Sequence, residues 1–433
     1  MTRTSLVILA FFALTQTTAA QVSPGPLTLA QAIALGRERG INAALARYNV
    51  QVADARAGQR RADLLPTVTL NGSIARKTIN FEEFGFPGII GVGPDFNVVN
   101  FNIQGSQTIF NLSSISRLRA AKDSALASGY DARAVGDLSA AEAGLAYLQV
   151  LSAEEAVTAR MADSSIAAEL LDQAKKLTAA GVSPIIDQTR SEVNFATVRT
   201  QLEVARNERD RARLDLARAL ELPPSQPIVL SDSLGPATLT VPKDSDEAVA
   251  FALAHRPDLL AEQQRTKSIE TSHRAIGQEY IPNLVASGAL FESGKEFSTL
   301  DNTYVVQLGI SLPLLDGFKR PARQQEAQAR LDAQKLRESD LRLEVETETR
   351  QALLDLTSAE QQVTLATDRL RLSEQELAQA QQRFDAGVAG SIETTNAQGA
   401  LFTARNALIQ ARVGYATARV RTYRALGVVG QLQ

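Results

Sequence analysis

The second half of this chain repeats the first, which confines the fold to architectures that use one unit twice. Near the start of each copy the offset is 216 residues, pairing Ala32 with Ala248 and Leu64-Leu65-Pro66 with Tyr280-Ile281-Pro282. Further on it is 206, pairing Ser152-Ala153-Glu154 with Ser358-Ala359-Glu360, Ala180-Gly181-Val182 with Ala386-Gly387-Val388, and Arg218-Ala219-Leu220 with Arg424-Ala425-Leu426. The difference is a loop-sized insertion in the first copy around Asn80 to Asn97. We place the first repeat at 21–222, the second at 247–433, and a linker at 223–246 that holds five prolines.

Residues 1–20 read as a secretory signal: Arg3, an apolar run from Leu6 to Leu14, then the small residues Thr18-Ala19-Ala20. That run is too short to span a bilayer as a helix, and no later segment reaches the ~18 consecutive apolar residues a transmembrane helix needs. A membrane span must therefore be a β-barrel. With no cysteine there is no disulfide framework, thiolate metal site or lipid-modified N-terminal Cys, so no acyl anchor is expected. The 45 basic and 48 acidic residues are interspersed and give a net charge of −3, which favours no nucleic-acid partner.

Each copy reads as helix, strand, loop, strand, long helix, tight turn, helix. The strands fall at about 67–79 and 98–109 in the first copy and 283–291 and 303–314 in the second. Val99, Phe101, Ile103 and Ile109 share one face of the second strand, opposite Asn100, Asn102, Gln104, Ser106 and Thr108. Tyr304, Val306, Leu308, Ile310 and Leu312 oppose Gln307, Gly309 and Ser311 likewise. Alternation of this kind suits a barrel with lipid on one side and water on the other, and equally a half-buried soluble sheet; the very long helices on either side favour the barrel. Four strands cannot close around water, and lipid tolerates no open edge, so other subunits must supply the missing strands.

About seventy proline-free residues precede Gly181, and a similar run reaches from Ala322 to Ala386, long enough for helices of about 100 Å. In the second copy Leu356, Val363, Leu370, Leu377 and Phe384 recur every seven residues, with Ala352, Ala359, Ala366, Ser373 and Ala380 four ahead of each, as a left-handed coiled coil requires. Leu401, Ala404, Leu408, Ala411, Tyr415 and Ala418 continue the pattern after the turn. The first copy repeats it as Val150, Ala153, Val157, Ala167, Leu171 and Ala174, with Arg160 and Ser164 interrupting. Low aromatic content, 5% with no Trp, fits long helices better than a thick globular core.

These parts, in this order, resemble the TolC-like outer membrane efflux protein family. The resemblance rests on Leu27-Thr28-Leu29-Ala30-Gln31-Ala32, Leu64-Leu65-Pro66, Ser311-Leu312-Pro313-Leu314-Leu315-Asp316-Gly317 and the paired Ala-Gly-Val turns. It implies a mainly α chain with a β-barrel portion: long antiparallel coiled-coil helices forming a periplasmic tunnel, and four strands per protomer in a trimeric 12-stranded outer-membrane barrel. It further implies a homotrimer in outer-membrane lipid that conducts drugs, metal ions or proteins delivered by an inner-membrane pump and a periplasmic adaptor protein.

Two turns, 181–184 and 387–390, would be the periplasmic tips, with Gly181, Val182, Ser183, Pro184, Gly387, Val388 and Gly390 as expected adaptor contacts. Gly suits the left-handed end of one helix and Pro184 the first turn of the next. Asp187 and Glu393 each follow the turn glycine by six residues. Threefold repetition would bring six carboxylates to the entrance, although an acid in a first helical turn is also what the helix dipole favours. Where the family usually has a second acid, this chain has Asn396, so any charge ring is weaker. Arg190 either bridges neighbouring helices or is a solvated partner of Asp187. The loop at 80–97, with Phe81, Phe84, Phe86 and Phe96, and the loop at 292–302 are expected at the barrel's far end.

No enzyme is expected and no cofactor: the two histidines, His255 and His273, stand on helical segments far from any nucleophile motif, and no phosphate-binding loop or metal-ligand cluster is present. The competing reading is a structural or adaptor coiled-coil protein of the cell envelope that forms no channel.

Overall fold

The computed structural model describes residues 26–80, 92–233, 242, 244–386 and 388–431. The expected signal sequence, Phe81, Phe84, Phe86 and Gly387 lie outside the described residues. Each half runs helix–helix–strand–strand–long helix–helix. In the first these are α1 (Leu29–Arg39), α2 (Ile41–Ala62), β1 (Thr67–Lys77), β2 (Phe96–Phe110), α3 (Leu112–Ala179) and α4 (Ile185–Ala219). In the second they are α5 (Ser245–His255), α6 (Pro257–Gly277), β3 (Asn283–Gly294), β4 (Asp301–Ser311), α7 (Lys319–Asp385) and α8 (Ser391–Ala425).

The long helices α3 and α7 have 68 and 67 residues, so each extends about 100 Å. Helix starts are fixed locally. Thr28 and Gln31 form a capping box on α1, Asn111 caps α3 by accepting from Ser114 N at 3.0 Å, and Asp244 caps α5. Near the sheet α2 packs on α3, α3 on α6 and α6 on α7; towards the far tips α4 packs on α3 and α8 on both α3 and α7. The result is a helical wall with α7 at one edge and α2 and α4 at the other.

The sheet is antiparallel in the order β1-β2-β3-β4. Its register sorts side chains by face across all four strands. Leu70, Ile103, Leu290 and Tyr304 form one cross-strand row, and Thr67, Ser106, Ser287 and Gln307 form another on the opposite face. Asn71 donates to Asn102 Oδ1 at 2.8 Å on the polar face. Thr108 pairs with Val285 and Phe110 with Leu284, so Ile109 is the extra residue of a bulge. Phe110, opposite Leu284, therefore stands on the apolar face, out of step with simple alternation. The ladder stops at Ser311, short of Leu314, because Pro313 has no N–H to give it. Every residue of β1 and β4 is exposed, and neither outer edge finds a partner among the described residues.

Below the sheet Arg320, only 3% exposed, joins strands to helices. It donates to Asp316 Oδ2 at 2.8 Å and to the carbonyls of Pro313 at 2.5 Å and Glu279 at 3.3 Å, with its guanidinium 4.5 Å from the Tyr280 ring centroid. Glu279 in turn binds Arg323 at 2.7 Å, and Arg117.

Half-way along the wall, α1 packs closely on α3, where a Cβ added to Gly36 would meet Ala143 Cβ and Ser139 O. The buried Tyr147 hydroxyl donates to Leu27 O at 2.9 Å and lies 3.0 Å from Asp232 Oδ2. Burial, then the hydrogen bond to Asp232, raise its pKa above the ordinary phenol range.

The seam of α7 is buried at Ala352, Leu356, Ala359, Ala366, Ser373, Leu377, Ala380 and Phe384, and that of α8 at Leu401, Ala404, Leu408, Ala411 and Ala418. In α3, Val150, Ala153, Val157, Ala167 and Ala174 are buried, but Leu170 takes the place foreseen for Leu171. Between Val157 and Ala167 the buried position is Asp163.

Candidate channel entrance at the helical tips

Both hairpin turns follow from their residues. Gly181 adopts φ +72°, which only glycine takes at little cost, and Val182 N bonds back to Leu177 O at 3.0 Å, closing α3. Pro184 stands at the N-cap of α4, one residue before the first-turn position expected for it, with extended ψ 151°. In the second turn Val388 N bonds to Arg383 O at 3.1 Å and Gly390 is the N-cap of α8. Val182, Ile185, Ile186, Val388 and Ile392 leave an exposed apolar cluster of side chains on the two tips.

Asp187, the third residue of α4, turns inward and is 7% exposed. It accepts from Ser183 Oγ at 2.8 Å and from Ser391 Oγ, the first residue of α8, at 2.5 Å. One carboxylate thus ties together the turns of both hairpins. Arg190 is the expected partner, at 3.7 Å and half exposed. Glu393 instead meets Arg383 across its own turn at 2.9 Å, both side chains being exposed. Asn396 is exposed, and among the described residues no polar contact joins Asp187 to Glu393.

Above Asp187 the contact between the hairpins is polar for several turns. Asn194 Nδ2 donates to Gln398 Oε1 at 2.8 Å, and Gln398 Nε2 reaches Asp163 O at 3.4 Å. Arg405 Nη1 donates to Asp163 Oδ1 at 2.8 Å, while among the described residues Asp163 Oδ2 has only the 3.6 Å approach of Arg160 Nη1. Arg160 lies 3.3 Å from the centroid of the Phe402 ring. Burial raises the pKa of Asp163 against the opposing pull of Arg405 and Arg160, and burial lowers that of Arg160 against Asp163 and Glu208.

Sequence reasoning passed over Asp163, Arg405, Gln398, Asn194 and the three exposed isoleucines. The seam break at Arg160 was the available signal for the first of these. No group of three His, Cys, Asp or Glu able to hold a metal is found among the described residues, and no described helix is long and apolar enough to cross a membrane.

The arrangement matches known proteins at three levels. The family model described as outer membrane efflux protein matches residues 33–221 and again 249–428. Toxin and drug export protein A of Aggregatibacter actinomycetemcomitans is 25% identical over 178 residues, 39% of this chain and 37% of that protein. Protein CyaE of Bordetella pertussis is 25% identical over 296 residues, 66% of this chain and 61% of that one. The chain therefore aligns with less than two thirds of either relative's length. The solved CmeC outer membrane channel of Campylobacter jejuni shares the fold with a TM-score of 0.81 at 17% identity, covering 93% of this chain and 86% of that one. With both halves matched by one family model and the whole architecture shared with a channel, this chain belongs to the outer membrane efflux protein family.

Proposed function

We propose that three copies of this chain close into one outer-membrane duct whose helices extend into the periplasm. An inner-membrane pump and a periplasmic adaptor protein deliver substrate, and the duct conducts it outward without catalysis. The observation that carries this reading is the four-stranded sheet: apolar on one face, polar on the other, with both edges open and β1 and β4 exposed throughout. An open edge in lipid costs several kcal/mol per unpaired backbone group, so β4 of one copy must pair with β1 of the next. The helical wall has matching loose edges, α7 on one side and α2 and α4 on the other, so the same neighbour completes the tunnel.

Within that duct the tips form the periplasmic entrance. Val182, Ile185, Ile186, Val388 and Ile392, with Gly181, Ser183, Pro184, Gly387 and Gly390, offer the adaptor an apolar landing. Asp187, Arg190, Glu393 and Asn396 set the charge of the entrance. Glu393 is its more exposed acid, while Asp187 acts by holding the two hairpins together through Ser391. The Asp163–Arg405 contact further up is a second tie between the same hairpins, so both bear on how wide the entrance stands.

Single-channel conductance of outer-membrane-extracted protein, with its mass in detergent from the same sample, tests the proposal. Discrete conductance from a trimer-sized particle is expected; a soluble, non-conducting species overturns it in favour of an envelope coiled coil. Replacing Asp187 and Glu393 together with Ala is expected to lower cation selectivity, and unchanged conductance and selectivity would remove them from the entrance.

A further inference from the structure

The wall of helices carries a groove of about 370 Å³ between α3 and α6, just below the sheet, that the channel reading does not use. It is lined by Ser116, Arg119 and Asp123 of α3 and by Lys267, Thr271 and Arg274 of α6, with Gln278 at its upper end. Three cations face one carboxylate. Asp123 is engaged by Lys267 at 3.4 Å, and among the described residues Arg274 has only Glu270 at 3.9 Å. Arg119 has no carboxylate within ion-pair distance among the described residues. Ser116 and Thr271 are 4% and 8% exposed, and their hydroxyls make no hydrogen bond with any described residue. Gln278 Oε1 is buried and likewise unpartnered. A buried polar atom without a partner costs free energy, so a group that supplies a partner to Gln278 Oε1 is favoured in this groove.

The side of the wall on which the groove opens follows from the packing. The α1 residue Arg37 and the α5–α6 junction at Arg256 to Asp258 meet around Asp137 of α3, so α1 and this junction lie against one face; an open bore leaves no room for them, which makes that face the outside of the tube. On α3 it is marked by Asp137, which pairs with Arg37, and by Ala140 and Gly144, which lie against Gly36 and Ile33 of α1. Ser116, Arg119 and Asp123 stand three heptads before these same positions. On α6, Gln263 borders an outer groove together with Leu253 of α5, and Lys267 and Arg274 follow it four and eleven residues on. The groove also lies mid-protomer, away from the α2 and α7 edges that neighbouring copies cover.

Its depth is set by the strands. Ser116 is six residues beyond the end of β2, about 9 Å along the helix axis, and Asp123 about 20 Å. With the sheet filling the hydrocarbon layer, the upper part of the groove lies at headgroup level.

We propose that this groove binds the phosphate of an anionic glycerophospholipid from the membrane leaflet on the helical side. Arg119, Arg274 and Lys267 surround the phosphodiester, the Ser116 and Thr271 hydroxyls donate to its oxygens, and Gln278 Oε1 accepts from a headgroup hydroxyl. The lipid holds each duct at a fixed height in the membrane. The inference rests on the sheet being the membrane-embedded part.

The test is native mass spectrometry of the detergent-solubilised oligomer with added phosphatidylglycerol, run beside phosphatidylcholine and beside millimolar glycerol phosphate without lipid. Wild type is expected to retain phosphatidylglycerol through activation that strips phosphatidylcholine, and to unfold at higher temperature with it. Arg119→Gln with Arg274→Gln is expected to reduce the bound fraction at least tenfold, and Arg119→Lys with Arg274→Lys to restore most of it. Both arginines are outside the tunnel, so conductance and lipid-free melting should stay as in wild type. Equal retention by wild type and the Gln variant overturns the site. Equal protection by glycerol phosphate overturns the lipid as its source. Loss of conductance in wild type would instead count against the channel reading itself.

Discussion

The two hairpins are built from one repeated unit but hold together differently. The α7–α8 seam sets large apolar residues against small ones, with Leu356 on Ala359 and Ala418, Leu408 on Ala366 and Ala411, and Leu377 on Ala380 and Ala397. At the equivalent level α3 breaks that pattern with Arg160 and Asp163, which reach across to Arg405 and Phe402 of α8. The α7–α8 hairpin thus keeps an apolar seam along α7, while α3 gives part of its seam to polar contacts with α8. Duplication preserves the path of the backbone and leaves each copy free to specialise its contacts.

The largest blow to the apolar side of this contrast is Leu377→Ala. Leu377 packs with Ala380, Ala397 and Leu401, and its truncation should cost about 2–5 kcal/mol in denaturant unfolding of the purified protein. Asp163→Ala comes next. It leaves two partly buried guanidiniums without their acid, and since both reach some solvent we expect about 2–3 kcal/mol, below the 3–5 of a fully buried pair. A double change of Asp163 and Arg405 to Leu should recover most of that loss; if it does not, the polar contact is worth more than its desolvation. Acidity sharpens the point. The folded pKa of Asp163 is raised by burial, so the folded state holds its proton at higher pH than the unfolded chain. Wild type should therefore gain stability over Asp163→Asn as pH falls through the raised pKa towards 3.8, and a constant difference across that window would refute it.

Smaller effects separate the two tips. Asp187→Ala strands the buried Ser391 hydroxyl and should cost about 1–2 kcal/mol, whereas Glu393→Ala removes an exposed pair and should move unfolding by less than about 0.5 kcal/mol. If the two substitutions prove equal, the tips are equivalent and the asymmetry between the hairpins is confined to Asp163.

What could be read from the sequence depended on whether a residue's setting is local. The α7 seam was legible because its period lies within one helix, and the strand faces because alternation needs only neighbours. The place of Phe110 opposite Leu284 escaped because a bulge at Ile109 shifts the phase of alternation and leaves no mark in composition. The end of β4 could have been found from Pro313 alone. Asp163 escaped because an acid on a helix is ordinarily solvated, and the arginine that makes it a buried residue stands 242 positions away in the other repeat. The groove beneath the sheet escaped for the same reason, as its cations converge only once α3 and α6 are side by side.

The unpaired β1 and β4 edges have a genetic consequence. In a ring closed by its own chains, every protomer is gripped from both sides, so a copy with a spoiled β4 still offers a sound β1 and still enters the ring. If β4 of one copy pairs with β1 of the next, a proline placed mid-way along β4 should be dominant: produced beside the normal chain, it would poison most mixed rings and leave only the small minority built from normal copies able to seal.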